Sequence, residues 1–525
     1  MISEHQVLLE GGALMMLRGL ILLTLATYLV LHATPCAAST QNIDGFISVL
    51  EERGFTVQKG RISMINVLEL CSKGYLNYCF GNNAGFPYAV YILPSAPGQD
   101  PSPRQEPPKG YDPNSADNYP ANLDTVPAGM TYKLRPDEAI VLIGNTPPQA
   151  RYFSFRSYLG FVENKPGKDY TGMPTFGDDK IGWYHRVYCS LGDPLNHLNM
   201  WTTNTPKGAA GNAFNSATIL ITTADKGINQ MMRNALIAAG YSPDIINDDN
   251  IPPALVNIGL EEGKDTFLMI MRAALWDDPG KGREYFDDIG NYMRVFRITP
   301  NTPIPTEEPW PVPALKIRET GISEYQTVPN AAADLEHLRQ EIIRRYGSAE
   351  LKPVHLDTNI WLPEGYTGIF RDIDLLAEDR DTTYLRTSFF QLTSDDDFVI
   401  VYGINHEQTK KAIYSNFSFY GVELLNGIAG THSAEYANSA ADFFPPGYEN
   451  AKYYYVYKIA RRAISGEPCV IVPYSTGNPS GMAFGVDNNK DVFIAFRAYI
   501  DINTQVGPSL FELIWDRAIL FTKAQ

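Results

Sequence analysis

The chain has 525 residues, a formal charge of −16 and 44% hydrophobic residues, enough for two or three domains with full-sized cores. An acidic chain without a basic block is a poor match for nucleic acid or anionic lipid, so neither is expected as a partner.

Residues 1–38 read as a signal peptide. Arg18 precedes an apolar run from Gly19 to Leu31, and small residues Cys36 and Ala38 precede a cut ahead of Ser39. The run is shorter than the roughly 20 residues of a membrane span, so no stable anchor is expected after cleavage. The mature protein is then expected to be periplasmic or secreted. It keeps Cys71, Cys79, Cys189 and Cys469, an even set that permits two disulfides. Cys71 with Cys79 is the natural local pair, and free buried thiols are the alternative.

Residues 39–120 form an N-terminal segment. A helix is predicted from Ile43 to Arg53, stopped by Gly54, and residues 94–120 are a loop rich in Pro, Gly, Asp and Asn. Residues 121–299 make a first β-rich domain, with a strand over Ala139–Ile143 and a helix from Lys226 to Ala239. Residues 300–350 are a proline-rich linker, Pro300 through Pro313, followed by an amphipathic helix, Ala331–Tyr346. Residues 351–525 make a second β-rich domain, with strands over Phe398–Tyr402 and Tyr453–Ile459.

The two domains share their order of motifs. Asp124-Thr125, Asp137 to Gly144, Tyr152 to Phe155 and Tyr158 to Gly160 return as Asp381-Thr382, Asp396 to Gly403, Tyr414 to Phe417 and Phe419 to Gly421. Further on, Phe267 to Arg272 matches Phe493 to Arg497, and Arg294 to Thr299 matches Arg517 to Thr522. A two-copy repeat implies paired domains and not a solenoid. The expected class is β-rich α+β, two related sandwich-like domains from an internal duplication.

Asn122-x-Asp124-Thr125 followed by Ala150-Arg151-Tyr152-Phe153-Ser154, and Cys79-Phe80-Gly81-Asn82-Asn83 with Pro87-Tyr88, resemble a group of uncharacterised exported proteins built from paired β-rich domains. The resemblance implies a β-sandwich architecture and no particular reaction.

Common catalytic signatures are missing: no Gly-x-Ser-x-Gly, no phosphate-binding loop, no His-Glu-x-x-His. Arg272 and Arg497, kept in both copies within apolar strands, each need a partner, because an unpaired buried charge is costly. They read either as ligand-binding arginines in a cleft or as a repeated structural ion pair. Copy two alone gathers His–carboxylate sets: His355 with Asp357, His406 with Glu407, and His432 with Glu435. If these converged they would suit a divalent metal or acid–base work by His406 and Glu407. Tyr455, in a tyrosine-rich strand, is a candidate platform for a sugar or another amphipathic ligand. Two functions follow: an exported protein binding a polar or amphipathic ligand, a small molecule or saccharide, between related domains; or a hydrolase, with or without a metal, centred on His406. The sequence leaves the cofactor unknown.

Overall fold

The computed structural model describes residues 42–72, 79–84, 87–99, 130–170, 175–178, 182–463, 467–476 and 482–523. The leader, the Asp124-Thr125 motif and most of the proline-rich loop lie outside them.

Two halves repeat one plan. In the first, a five-stranded sheet runs β1 (Phe55–Lys59), β12 (Met293–Pro300), β4 (Ala139–Asn145), β9 (Ala217–Thr223), β10 (Ile246–Asn250). In the second, the order is β13 (Leu351–Leu356), β23 (Arg517–Lys523), β17 (Phe398–Ile404), β20 (Tyr454–Ala460), β21 (Cys469–Ile471). Both are antiparallel except at one edge, where β10 lies parallel to β9 and β21 parallel to β20. The shared exception is strong support for duplication.

Each half adds a second sheet. The first half has β2 (Arg61–Ile65), β3 (Tyr88–Ile92), β11 (Phe267–Trp276), β5 (Ala150–Glu163), β7 (Gly182–Ser190) and β6 (Thr175–Asp178), with β8 (Leu195–Asn196) on β5. The second has β14 (Thr358–Ile360), β15 (Thr382–Thr387), β22 (Asp491–Tyr499), β18 (Tyr414–Gly421) and β19 (Asn426–His432), with β16 (Phe390–Gln391) on β22.

The central strands are apolar throughout because both of their faces are covered. In β4, Ile140 and Leu142 pack on the second sheet, while Ala139, Val141 and Ile143 pack under the helices Ile43–Glu52 and Lys226–Ala238. In β17, Val399 and Val401 face the second sheet, and Ile400, Tyr402 and Ile404 face the helix Ala331–Tyr346. Each half is therefore a sheet-on-sheet sandwich with a helical cover, the β-rich duplicated class expected. Lys226–Ala238 is capped by Asp225, whose carboxylate accepts the Ile228 N–H at 3.1 Å. No helix among the described residues is long and apolar enough to cross a membrane.

Residues 39–120, expected to stand before the first repeat, in fact supply β1, β2 and β3 to its sheets. These strands are short, and their partners are distant: β1 pairs with β12 and β3 pairs with β11 from far down the chain.

The two halves meet through the outer faces of their second sheets. Tyr152 and Ala274 from one pack with Tyr414, Tyr499 and Ile500 from the other. Register confirms which residues correspond: Arg272 lies opposite Ser154 on β5, and Arg497 opposite Asn416 on β18.

Candidate ligand-binding site

Each half sends a loop across to the other, and the contacts are reciprocal. Gly81 N–H donates to the Leu425 carbonyl at 2.8 Å, and Ala377 N–H to the Tyr188 carbonyl at 2.9 Å. Gly427 N–H donates to the Asn82 side chain, as Ser190 N–H does to Glu378. Both loops turn through two successive left-handed residues, Phe80 (φ 55°) and Gly81 (φ 62°) in one, Leu376 and Ala377 (both φ 56°) in the other. That conformation costs a non-glycine residue about 1–3 kcal/mol, so three such residues held there show how firmly the surroundings fix both turns. Leu375 anchors its loop within the first half's core, and Cys79 packs with Ala483 of the second half. The Cys71–Cys79 disulfide closes the base of the first loop, while Cys189 and Cys469 are free.

The repeat arginines grip these loops from opposite sides. Arg272 donates to the Ala377 carbonyl at 2.6 Å and to the Tyr158 hydroxyl at 2.7 Å. Arg497 donates to the Gly81 carbonyl at 3.2 Å and lies 5.5 Å from the Tyr420 ring centre. They are 5% and 4% exposed. Between the sheets lies a cavity of about 80 Å³. Arg272, Arg497, Tyr88, Tyr384, Glu378 and Trp361 are on its wall, together with apolar side chains such as Val90, Leu268 and Ile270. That space is roughly six waters' worth.

Charge is distributed unevenly around it. Asp379 lies 3.7 Å from Arg272 and accepts the Tyr152 hydroxyl at 2.6 Å. Asp381 also accepts from Tyr152, and burial together with the neighbouring Asp379 pushes its carboxyl well above the usual range. Burial pushes Glu378 up to about 8, against the pull of hydrogen bonds from Ser190 and Gly365. Asn82 and Asn83 stand where the second loop has Glu378 and Asp379.

The remaining sequence candidates lie elsewhere. His406 is buried, with Nδ1 2.8 Å from Glu324 and Nε2 3.6 Å from Asp516. Burial alone would lower its pKa, but the two carboxylates outweigh it and hold it up to about 10. Glu407 accepts the Ser433 hydroxyl at 2.6 Å and faces Arg151 at 3.4 Å. His432 pairs with Glu435 at 3.5 Å, while His355 and Asp357 are exposed on and beside β13. Among the described residues no group of three His, Cys, Asp or Glu side chains is placed to hold a metal. Tyr455 is 1% exposed, stacks on Tyr436 at 4.2 Å and donates to Asp516 at 2.5 Å. It is a core residue rather than a platform, because both faces of β20 are buried.

No protein-family profile matches the chain, and no curated protein matches it. Among solved structures, an uncharacterized protein from Burkholderia cenocepacia is 8% identical, with 92% of this chain and 88% of that one covered at a TM-score of 0.32. The VPA0106 protein from Vibrio parahaemolyticus is 11% identical, with 74% and 87% covered at a TM-score of 0.31.

Proposed function

We propose that the protein binds a polar or amphipathic small molecule between its two halves. The observation that carries this reading is the cavity on the line where both repeat arginines and both crossing loops meet. Ligand sites are mostly apolar, with a few placed polar groups, and favour domain interfaces. The hydrolase reading gains no support at His406. A general base must be free to accept a proton, whereas His406 is held as a cation by Glu324 and Asp516.

The test is thermal denaturation against a panel of small amphipathic molecules, with Ile270→Trp built to fill the cavity. Ligands should raise the melting temperature of the wild type and not of the filled variant. Equal shifts in both proteins would end the proposal.

We also propose export, on the strength of residues 1–38. A purified native chain beginning at Ser39 supports it, and a chain still carrying residues 1–38 refutes it.

A further inference from the structure

The duplication offers an internal control on what the cavity recognises. The two arginines have matching surroundings: a loop carbonyl, a tyrosine at equivalent strand positions (Tyr158 and Tyr420) and further aromatic faces. Arg272 lies 5.9 Å from the Tyr88 ring, and Arg497 lies 5.6 Å from Tyr384 and 5.2 Å from Trp361. Aromatic faces offset part of the cost of a buried cation in both places.

What differs is the counter-charge. Arg272 has Asp379. Arg497 has Asn83 in that position, with the amide oxygen 3.5 Å from Nη1, and no carboxylate within 4.0 Å among the described residues. The nearby acids do not make up the deficit, since burial moves both Glu378 and Asp381 toward the neutral form. Among the described residues, one guanidinium on the cavity wall is left without a balancing anion. A buried unpaired cation is expensive, and a ligand anion is the partner that removes the cost.

Resting on the cavity-binding reading above, we propose that the occupant is a small organic monoanion. Its carboxylate pairs with Arg497, and its apolar or aryl body lies against Trp361, Tyr384 and the apolar wall. Asn83 is the residue that sets this preference. Its amide keeps the loop's hydrogen bonds, accepting from Asn416 at 2.9 Å and donating to Tyr499 at 3.0 Å, without neutralising the arginine.

The test is calorimetric titration of the mature protein with 3-phenylpropionate and with its neutral counterpart 3-phenylpropanamide. The acid should bind about tenfold to a hundredfold more tightly, the range of a charge-assisted hydrogen bond. In Asn83→Asp the supplied carboxylate should bring the two affinities close together, and Arg497→Met should do the same. Equal affinities in the wild type would overturn the anion inference and leave the cavity reading standing, as would a preference that survives Asn83→Asp. Binding of neither compound would also overturn the anion inference, and the panel measured against Ile270→Trp then decides the cavity reading.

Discussion

Asn83 and Asp379 stand at equivalent points of the two crossing loops, and each backbone N–H donates to the tyrosine hydroxyl five residues on, Tyr88 at 2.9 Å and Tyr384 at 2.8 Å. The backbone is repeated and the charge is not. That single difference separates a guanidinium with a carboxylate partner from one that, among the described residues, has only neutral partners.

Asp379→Asn should therefore destabilise the protein although an amide fits the same turn in the other loop. Removing one partner of a buried pair costs about 3–5 kcal/mol, and the amide oxygen can still accept from Tyr152, so a loss of about 2–4 kcal/mol is expected. Urea denaturation of variant and wild type measures it. A stability within error of the wild type would show that Arg272 does not depend on Asp379.

His406 gives a pH signature. Its folded pKa, about 10, is above its ordinary value of about 6.5. Its contribution is thus fully present below about pH 6.5 and is lost as pH rises through about 10. His406→Gln should be less stable than wild type at pH 6, by on the order of 3 kcal/mol, with the gap narrowing toward pH 10. Denaturation curves across that range check the slope; a gap independent of pH would mean that His406 is not held as the cation.

Cys71→Ser opens the disulfide at the base of the first loop. Its closed loop is short, with a sequence separation of 8. Chain entropy then predicts a loss of about 2.5 kcal/mol. Gly81 and Asn83 follow directly on Cys79, so ligand affinity should fall along with the melting temperature. Unchanged affinity at full saturation of the destabilised variant would show that the turn holds its shape without the crosslink.

Much of the fold was legible because the repeat and the apolar runs are local signals. β4, β17 and the helices Ile43–Glu52, Lys226–Ala238 and Ala331–Tyr346 all fall where periodicity places them. Arg272 and Arg497 were visible as charges in apolar strands, and register shows them to be counterparts. The equivalence of the two crossing loops was hidden. Cys79 to Asn83 and Leu375 to Asp379 share no residue, and their likeness is one of backbone conformation and of contacts with the opposite half. Tyr455 was legible only in part: alternation along β20 marks two faces, a ligand platform or an ordinary packed one, and only the layers on either side show that Tyr455 is buried. His406 drew attention as a base, and its partners Glu324 and Asp516 come from distant segments that spacing could not join to it.

The exchanged loops have a consequence for how such a protein can diversify. In a pair of identical subunits every substitution at the shared surface appears twice, so the two ends of a central chamber stay the same. With both copies on one chain, a change at residue 83 leaves residue 379 untouched. Fusion thereby gives the chamber a head and a tail.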